Sequence, residues 1–178
     1  MDAKAANNPG VAKSRTKVER KSDVELVISR TFNGPAKILY EAWTTPELLK
    51  LWWTPKSSGA SLASCVADVR PGGAYRFEFA RDGSMVAAFF GRYLEVVPPS
   101  KLVWTNEESP QGPVTTLTFE DQGGTTLLTL REVYPSKAAL DETMSAGMGD
   151  GMTETLDQLE ELLAARAAAA GWPGQTRP

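Results

Sequence analysis

Residues 74–97 read AYRFEFARDGSMVAAFFGRYLEVV, and the fold turns on that stretch. Tyr75, Phe77 and Phe79 alternate with Arg76 and Glu78, the period of two that sets one face of a strand against a core and the other in water. Arg81-Asp82-Gly83 is a tight turn. Met85 to Val97 is long enough for a second strand, and Pro98-Pro99-Ser100 breaks it. Strands joined by so short a connection run antiparallel.

The same grammar extends in both directions. Upstream, Leu62 to Val69 reads as a strand ending in the turn Arg70-Pro71-Gly72-Gly73. Downstream, Leu102 to Asn106 is followed by a polar loop through Gly112-Pro113. Val114 to Glu120 and Thr125 to Glu132 then form a hairpin across Asp121-Gln122-Gly123-Gly124. These strands imply an antiparallel meander. An earlier strand, Val24 to Phe32, turns Leu26, Ile28 and Phe32 to one side and Glu25, Ser29 and Thr31 to the other, giving seven strands in all.

Helical spacing appears in two places. After Asn33-Gly34-Pro35, Ile38, Leu39, Ala42 and Trp43 make an apolar stripe. Thr45 is placed to cap a second short helix with Pro46 at its first position and Glu47 at the positive end of its dipole. Its Leu48, Leu49, Leu51, Trp52 and Trp53 are strongly apolar. At the other end of the chain, Ser136 caps a short segment through Met144. Glycines at 147, 149 and 151 read as a linker, and a long helix follows to about Ala169. In it Met148, Met152, Leu156, Leu159 and Leu163 fall on one face, opposite Asp150, Glu154, Asp157 and Glu161.

The order strand, two short helices, six strands, long helix predicts an α+β domain: a curved antiparallel sheet around one C-terminal helix. One helix seldom fills the concavity of a long bent sheet, so an apolar cavity is expected between it and the tryptophan-rich short helices. The candidate lining is Trp43, Trp53, Phe77, Phe79, Tyr93, Trp104, Met148, Met152 and Leu156. Trp52-Trp53 reads as one ring in the core and one in the cavity wall. Arg30, Tyr93 and Glu132 are polar groups in apolar strands. Facing inward they would orient a ligand's polar head or do acid–base work; facing outward they are surface residues, and the pattern leaves the choice open.

Composition narrows the chemistry. The chain has 178 residues, 42% hydrophobic and 23% charged, the balance of one ordinary folded domain. It has no histidine, which excludes Ser-His-Asp and Cys-His nucleophilic arrangements and zinc sites of the usual Cys/His kind. No catalytic constellation, metal site or cofactor motif is read: the glycines at 147–151 lack a dinucleotide fingerprint, and there is no phosphate-binding loop. Cys65, the single cysteine, excludes an internal disulfide and reads as a buried, inert thiol, and a cytoplasmic location is expected. The N-terminus shows no apolar stretch of a secretory signal, and no run is long enough to insert in a membrane. Residues 1–22 carry six Lys/Arg against Asp2 and Glu19, a net of +4, which leaves −7 for the rest of a chain of net charge −3. They read as a solvated, disordered tail without the aromatics of a nucleic-acid binder. Residues 23–169 form the expected domain and 170–178 a loose tail.

Several motifs together resemble a known family. Arg30-Thr31-Phe32 with Pro35, Ala42-Trp43, and Pro46 through Trp52-Trp53 are similar to the start of bacterial domains akin to the Hsp90 ATPase activator, members of the Bet v 1-like or START-like (SRPBCC) helix-grip superfamily. Asp68 to Gly73, Gly91 to Pro99, Leu102-Val103-Trp104, Thr118-Phe119 and Gly124 to Leu127 resemble the successive strands and turns, and Gly147-Met148 with Leu156 to Leu163 the closing helix. The resemblance spans about residues 24–165. It implies the helix-grip fold and three functions: binding of a small lipid-like or aromatic molecule, interaction with an Hsp90-type chaperone, or turnover of a small apolar substrate as a cyclase or hydrolase. The first fits a chain without histidine best, acting as a monomer or homodimer. The eukaryotic activators carry a further N-terminal domain, and many relatives have an aromatic residue where this chain has Met152.

Overall fold

Alternation makes the strands and 3.6-residue periodicity the helices of the computed structural model, which describes residues 15–170. In chain order they are β1 (Lys17–Arg20), β2 (Glu25–Asn33), α1 (Ala36–Thr44), α2 (Pro46–Trp52), β3 (Ser61–Ala67), β4 (Ala74–Arg81), β5 (Ser84–Val97), β6 (Lys101–Thr105), β7 (Val114–Asp121), β8 (Thr125–Val133), α3 (Lys137–Ser145) and α4 (Met148–Ala170). The strands form one antiparallel sheet in the order β1-β2-β8-β7-β6-β5-β4-β3. β2 reaches β8 across the whole meander, with Glu25 opposite Val133 and Asn33 opposite Thr125.

β5 sets the shape of the sheet. Residues 84–92 pair with β4, whereas Tyr93 to Val97 pair with β6, with an irregularity between Tyr93 and Glu95. The strand changes partners midway, so the β4–β5 hairpin projects past the end of β6. A second irregularity, between Leu62 and Ser64, interrupts β3 at the sheet's edge.

The inward face carries the core. Leu26, Ile28 and Phe32 of β2 and Leu128 and Leu130 of β8 are buried, as are Leu117 and Phe119 of β7 and Tyr75, Phe77 and Phe79 of β4. Leu156, Leu159 and Leu163 of α4 close over them. Burying a leucine contributes roughly 1.5–3 kcal/mol, so this stripe is a large part of the helix's attachment.

Two polar clamps fix α4. Arg30, 3% exposed, points from β2 into an ion pair with Asp157 and another with Glu160 at 2.6 Å, and donates to Thr16 Oγ1 at 3.1 Å. Gln158 donates to the carbonyls of Trp52 and Thr54, at 3.0 and 2.9 Å, and its Oε1 accepts from Lys56 N at 3.0 Å. The second clamp ties α4 to the end of α2.

Three sequence expectations change. Among the described residues the sheet has eight strands, not seven, because β1 lies inside the stretch read as a tail. Lys17 to Arg20 is too short and too charged to announce a strand, but β2 offers a free edge, and β1 pairs with it from Lys17–Ser29 to Arg20–Leu26. The described basic residues meet acidic partners: Arg15 with Glu160, Lys17 and Lys21 with Glu19, and Arg20 with Asp141. Residues 1–14 and 171–178 lie outside the described part, and with them the rest of the expected tails. Second, the glycine segment is not a linker. Gly147, at φ +83°, makes the break after α3, while Gly149 and Gly151 lie within α4. A Cβ on Gly149 would stand 3.5 Å from Val18 Cγ1, so β1 packs close to the start of that helix. Third, Thr45 stands at the N-cap of α2 with extended backbone but makes no capping bond. Ser136 does cap α3, accepting from Ala139 N at 3.1 Å.

The Arg30 clamp makes an asymmetric prediction. Asp157→Asn with Glu160→Gln strands a buried guanidinium and should cost about 3 kcal/mol or more. Arg30→Met leaves two carboxylates that lie partly in water and should cost less. Urea unfolding of both variants measures the order, and a larger loss in Arg30→Met would refute this account of the clamp.

Candidate functional site

α4 covers the concave face from about Leu156 onward and thins toward its N-terminus, where Met152 and Met148 are only half-buried. Beneath that end lies a pocket of about 620 Å³. Its walls come from α1 and the end of α2 (Trp43, Leu49, Trp53), from β4, β5 and β6 (Tyr75, Phe77, Phe89, Tyr93, Leu102, Trp104) and from β8 (Leu130, Glu132) with Tyr134 just beyond it. The β6–β7 loop, from Asn106 to Pro113, and the α3–α4 junction, from Glu142 to Gly147, stand at its mouth. Gly112 allows that loop to fold tightly: a Cβ there would lie 2.1 Å from Asn106 O.

The wall is largely aromatic. Trp43 is the hub, with ring centroids 4.8 Å from Trp52, 5.2 Å from Trp53 and 6.2 Å from Trp104. Trp53 stands 5.7 Å from Phe77, and Tyr75 lies 5.4 Å from Phe77 and 5.7 Å from Tyr93. Edge-to-face geometry dominates the tryptophan contacts, which fixes the rings in place. The adjacent tryptophans divide their work. Trp52 is fully buried and donates its indole N–H to Ala42 O at 3.1 Å, while Trp53 turns toward the pocket. The Trp43 indole N–H is buried without a hydrogen-bond partner among the described residues.

Of the nine predicted lining residues, seven meet around this pocket: Trp43, Trp53, Phe77, Tyr93, Trp104, Met148 and Met152. Two do not. Phe79 faces inward but lies farther along β4, its ring 5.2 Å from Phe89, and Leu156 lies one turn deeper on α4, sealed in the core. Alternation and helical spacing give the face of a residue, but not where along it the covering helix runs out. Tyr75 shares the alternation of Phe77 and was open to detection by that signal. Asn106, Glu108 and Glu142 sit in a loop or at a helix surface, where no periodicity marks them.

The three polar strand residues separate. Arg30 is engaged by α4 and does not line the pocket. Tyr93 lines it, and burial pushes its phenol above the ordinary range. Glu132 lines it as a buried carboxyl, which accepts from Tyr134 Oη at 2.6 Å and from the Thr115 hydroxyl. Thr115 Oγ1 in turn accepts from Asn106 Nδ2 at 2.9 Å, and Tyr75 Oη donates to Thr105 O at 2.6 Å. One end of an otherwise apolar pocket is thus a connected polar network. Burial raises the Glu132 pKa. The bonds from Tyr134 and Thr115 oppose the rise, and Glu108 adds to it. A carboxyl held neutral can donate as well as accept a hydrogen bond. Cys65 is buried outside this lining, its thiol pushed up to about 11 by desolvation, and is a poor nucleophile. No group of three or more metal-ligating side chains occurs among the described residues.

A bent antiparallel sheet gripping a C-terminal helix, with a pocket under the helix's first turns, defines a helix-grip domain. The chain belongs to the family described as activator of Hsp90 ATPase homolog 1-like protein, whose model matches residues 33–164. Solved structures from the same fold include a protein of Rhodobacter sphaeroides, 25% identical, covering 84% of this chain and 98% of its own with a TM-score of 0.77. A protein from Nitrosomonas europaea, also 25% identical, covers 84% and 99% with a TM-score of 0.75. One from Mycobacterium smegmatis is 25% identical over 84% and 98%, with a TM-score of 0.71. No curated protein matches the chain.

Glu132 gives the site a pH signature. Its folded pKa lies above the unfolded one, so its stabilising contribution is complete below the ordinary carboxylate range and is lost as pH rises through the folded value. Glu132→Gln keeps an acceptor for Tyr134 and removes the titration. The variant's unfolding midpoint should exceed that of the parent at pH 8 and converge with it near pH 4. A difference constant across that range would show that Glu132 ionises as an ordinary surface carboxylate does.

Proposed function

We propose that this protein binds a small, largely apolar molecule in the pocket beneath the start of α4. The observation that carries the reading is the aromatic-walled space of about 620 Å³, within the size range of small-molecule sites, with a polar network at one end. Met148 and Met152 form the adjustable part of the wall, since unbranched thioether side chains repack around differently shaped partners. The buried Cys65 and the absence among the described residues of any helix long and apolar enough to span a membrane fit a carrier working in the cytoplasm.

Thermal unfolding across a panel of fatty acids, sterols, flavonoids and apolar amines tests the proposal. A ligand that binds only the folded state adds about 2.7 kcal/mol at a hundred times its dissociation constant, worth several degrees for a chain of this size. The shift should vanish in Met152→Trp, which fills the pocket from its α4 side. No shift with any compound would move the reading to a protein partner, an Hsp90-type chaperone being the one the family's description names.

A further inference from the structure

The charges around the pocket are of one sign. Glu132 is buried inside it, and Glu108 and Glu142 are exposed at its mouth. No Lys or Arg is among the described residues that line it, and the chain contains no histidine. Arg30, the buried cation among the described residues, is turned to α4 and engaged by Asp157 and Glu160. The uncharged wall is mainly aromatic, with Trp43 and Trp53 from the short helices and Tyr75, Phe77, Tyr93 and Trp104 from the sheet. Aromatic faces are the negative ends of the ring quadrupole and attract cations, tryptophan most strongly.

On the binding reading above, we infer that the pocket selects a cationic amphiphile: an amine or quaternary ammonium on an apolar body, its positive group held between Glu132 and the aromatic rings. An anionic ligand of the same shape would leave water to meet a carboxyl and three indole walls, with no counter-charge. A cation finds both. Glu132 is equipped to ionise when one enters, because Tyr134 Oη and the Thr115 hydroxyl already donate to it. The other titratable groups facing it act in known directions: Glu108 opposes ionisation, and Tyr75 stays neutral because burial raises its pKa. The two exposed carboxylates at the mouth would draw a cation toward the opening and repel an anion.

Calorimetric titration of the full chain with three probes of equal chain length decides the matter: decyltrimethylammonium, decanol and decanoate. Decyltrimethylammonium should bind at least about tenfold more tightly than decanoate, with decanol between them. In Glu132→Gln its affinity should fall severalfold, toward that of decanol, while decanol, which carries no charge, loses less than the cation does, so that loss of the charge is separated from loss of the pocket. Equal or tighter binding of decanoate would overturn the charge selectivity and leave the apolar pocket standing. An undiminished preference for the cation in Glu132→Gln would also overturn it, since the buried carboxyl is its centre. Binding of none of the three would instead remove the ligand-binding reading on which it rests.

Discussion

An eight-stranded open sheet has far more apolar surface on its inner face than a single helix can cover, and the rest of this structure follows from that mismatch. α4 has 23 residues, about 35 Å at 1.5 Å per residue. Its Leu156–Leu159–Leu163 stripe joins the core, and the clamps tie it to β2 through Arg30 and to the end of α2 through Gln158. Toward Gly147 the leucines give way to methionines and the contact opens. α1 and α2 supply what the helix cannot, and their tryptophans wall the remaining volume instead of filling it. The pocket is therefore the place where covering elements run out.

A buried carboxyl in such a place needs support, because an isolated charge in an apolar site is strongly disfavoured. Glu132 has it from two neighbours: Tyr134, two residues on and just past the end of β8, and Thr115, directly opposite it in the β7–β8 register. Asn106 extends the network to the loop at the mouth. Polar groups connected in this way keep fixed positions while the apolar wall adapts around them. A site of this construction combines a rigid polar end with a yielding apolar end.

The fold was legible because its signals are periodic. Tyr75-Phe77-Phe79 and the Met148-to-Leu163 stripe each state which side is inward, and the turns at Gly72-Gly73, Asp82-Gly83 and Gly123-Gly124 separate the strands. Most of the aromatic lining followed from the same periods. What escaped was contextual. β1 is a strand because β2 offers it an edge, not because Lys17-Val18-Glu19-Arg20 favours one. Gly149 and Gly151 are helical because tertiary packing outweighs the roughly 1 kcal/mol that each glycine costs. Phe79 and Leu156 were placed on the right face, but their distance from the pocket depends on where α4 lifts off the sheet. Arg30 and Glu132 look alike as polar interruptions of apolar strands. One is claimed by a helix and the other lines a cavity, and only the three-dimensional neighbours distinguish them.

The two ends of the sheet bear on how the molecule behaves in a crowd. An open sheet presents unpaired backbone along both outer strands, a standing invitation to ladder with another copy. Here one margin is β1, four residues of which Lys17, Glu19 and Arg20 are charged. The other is β3, kinked between Leu62 and Ser64. Neither presents a long, flat, uninterrupted template. An open sheet is thereby protected against edge-to-edge polymerisation, without the closure that turns other sheets into barrels.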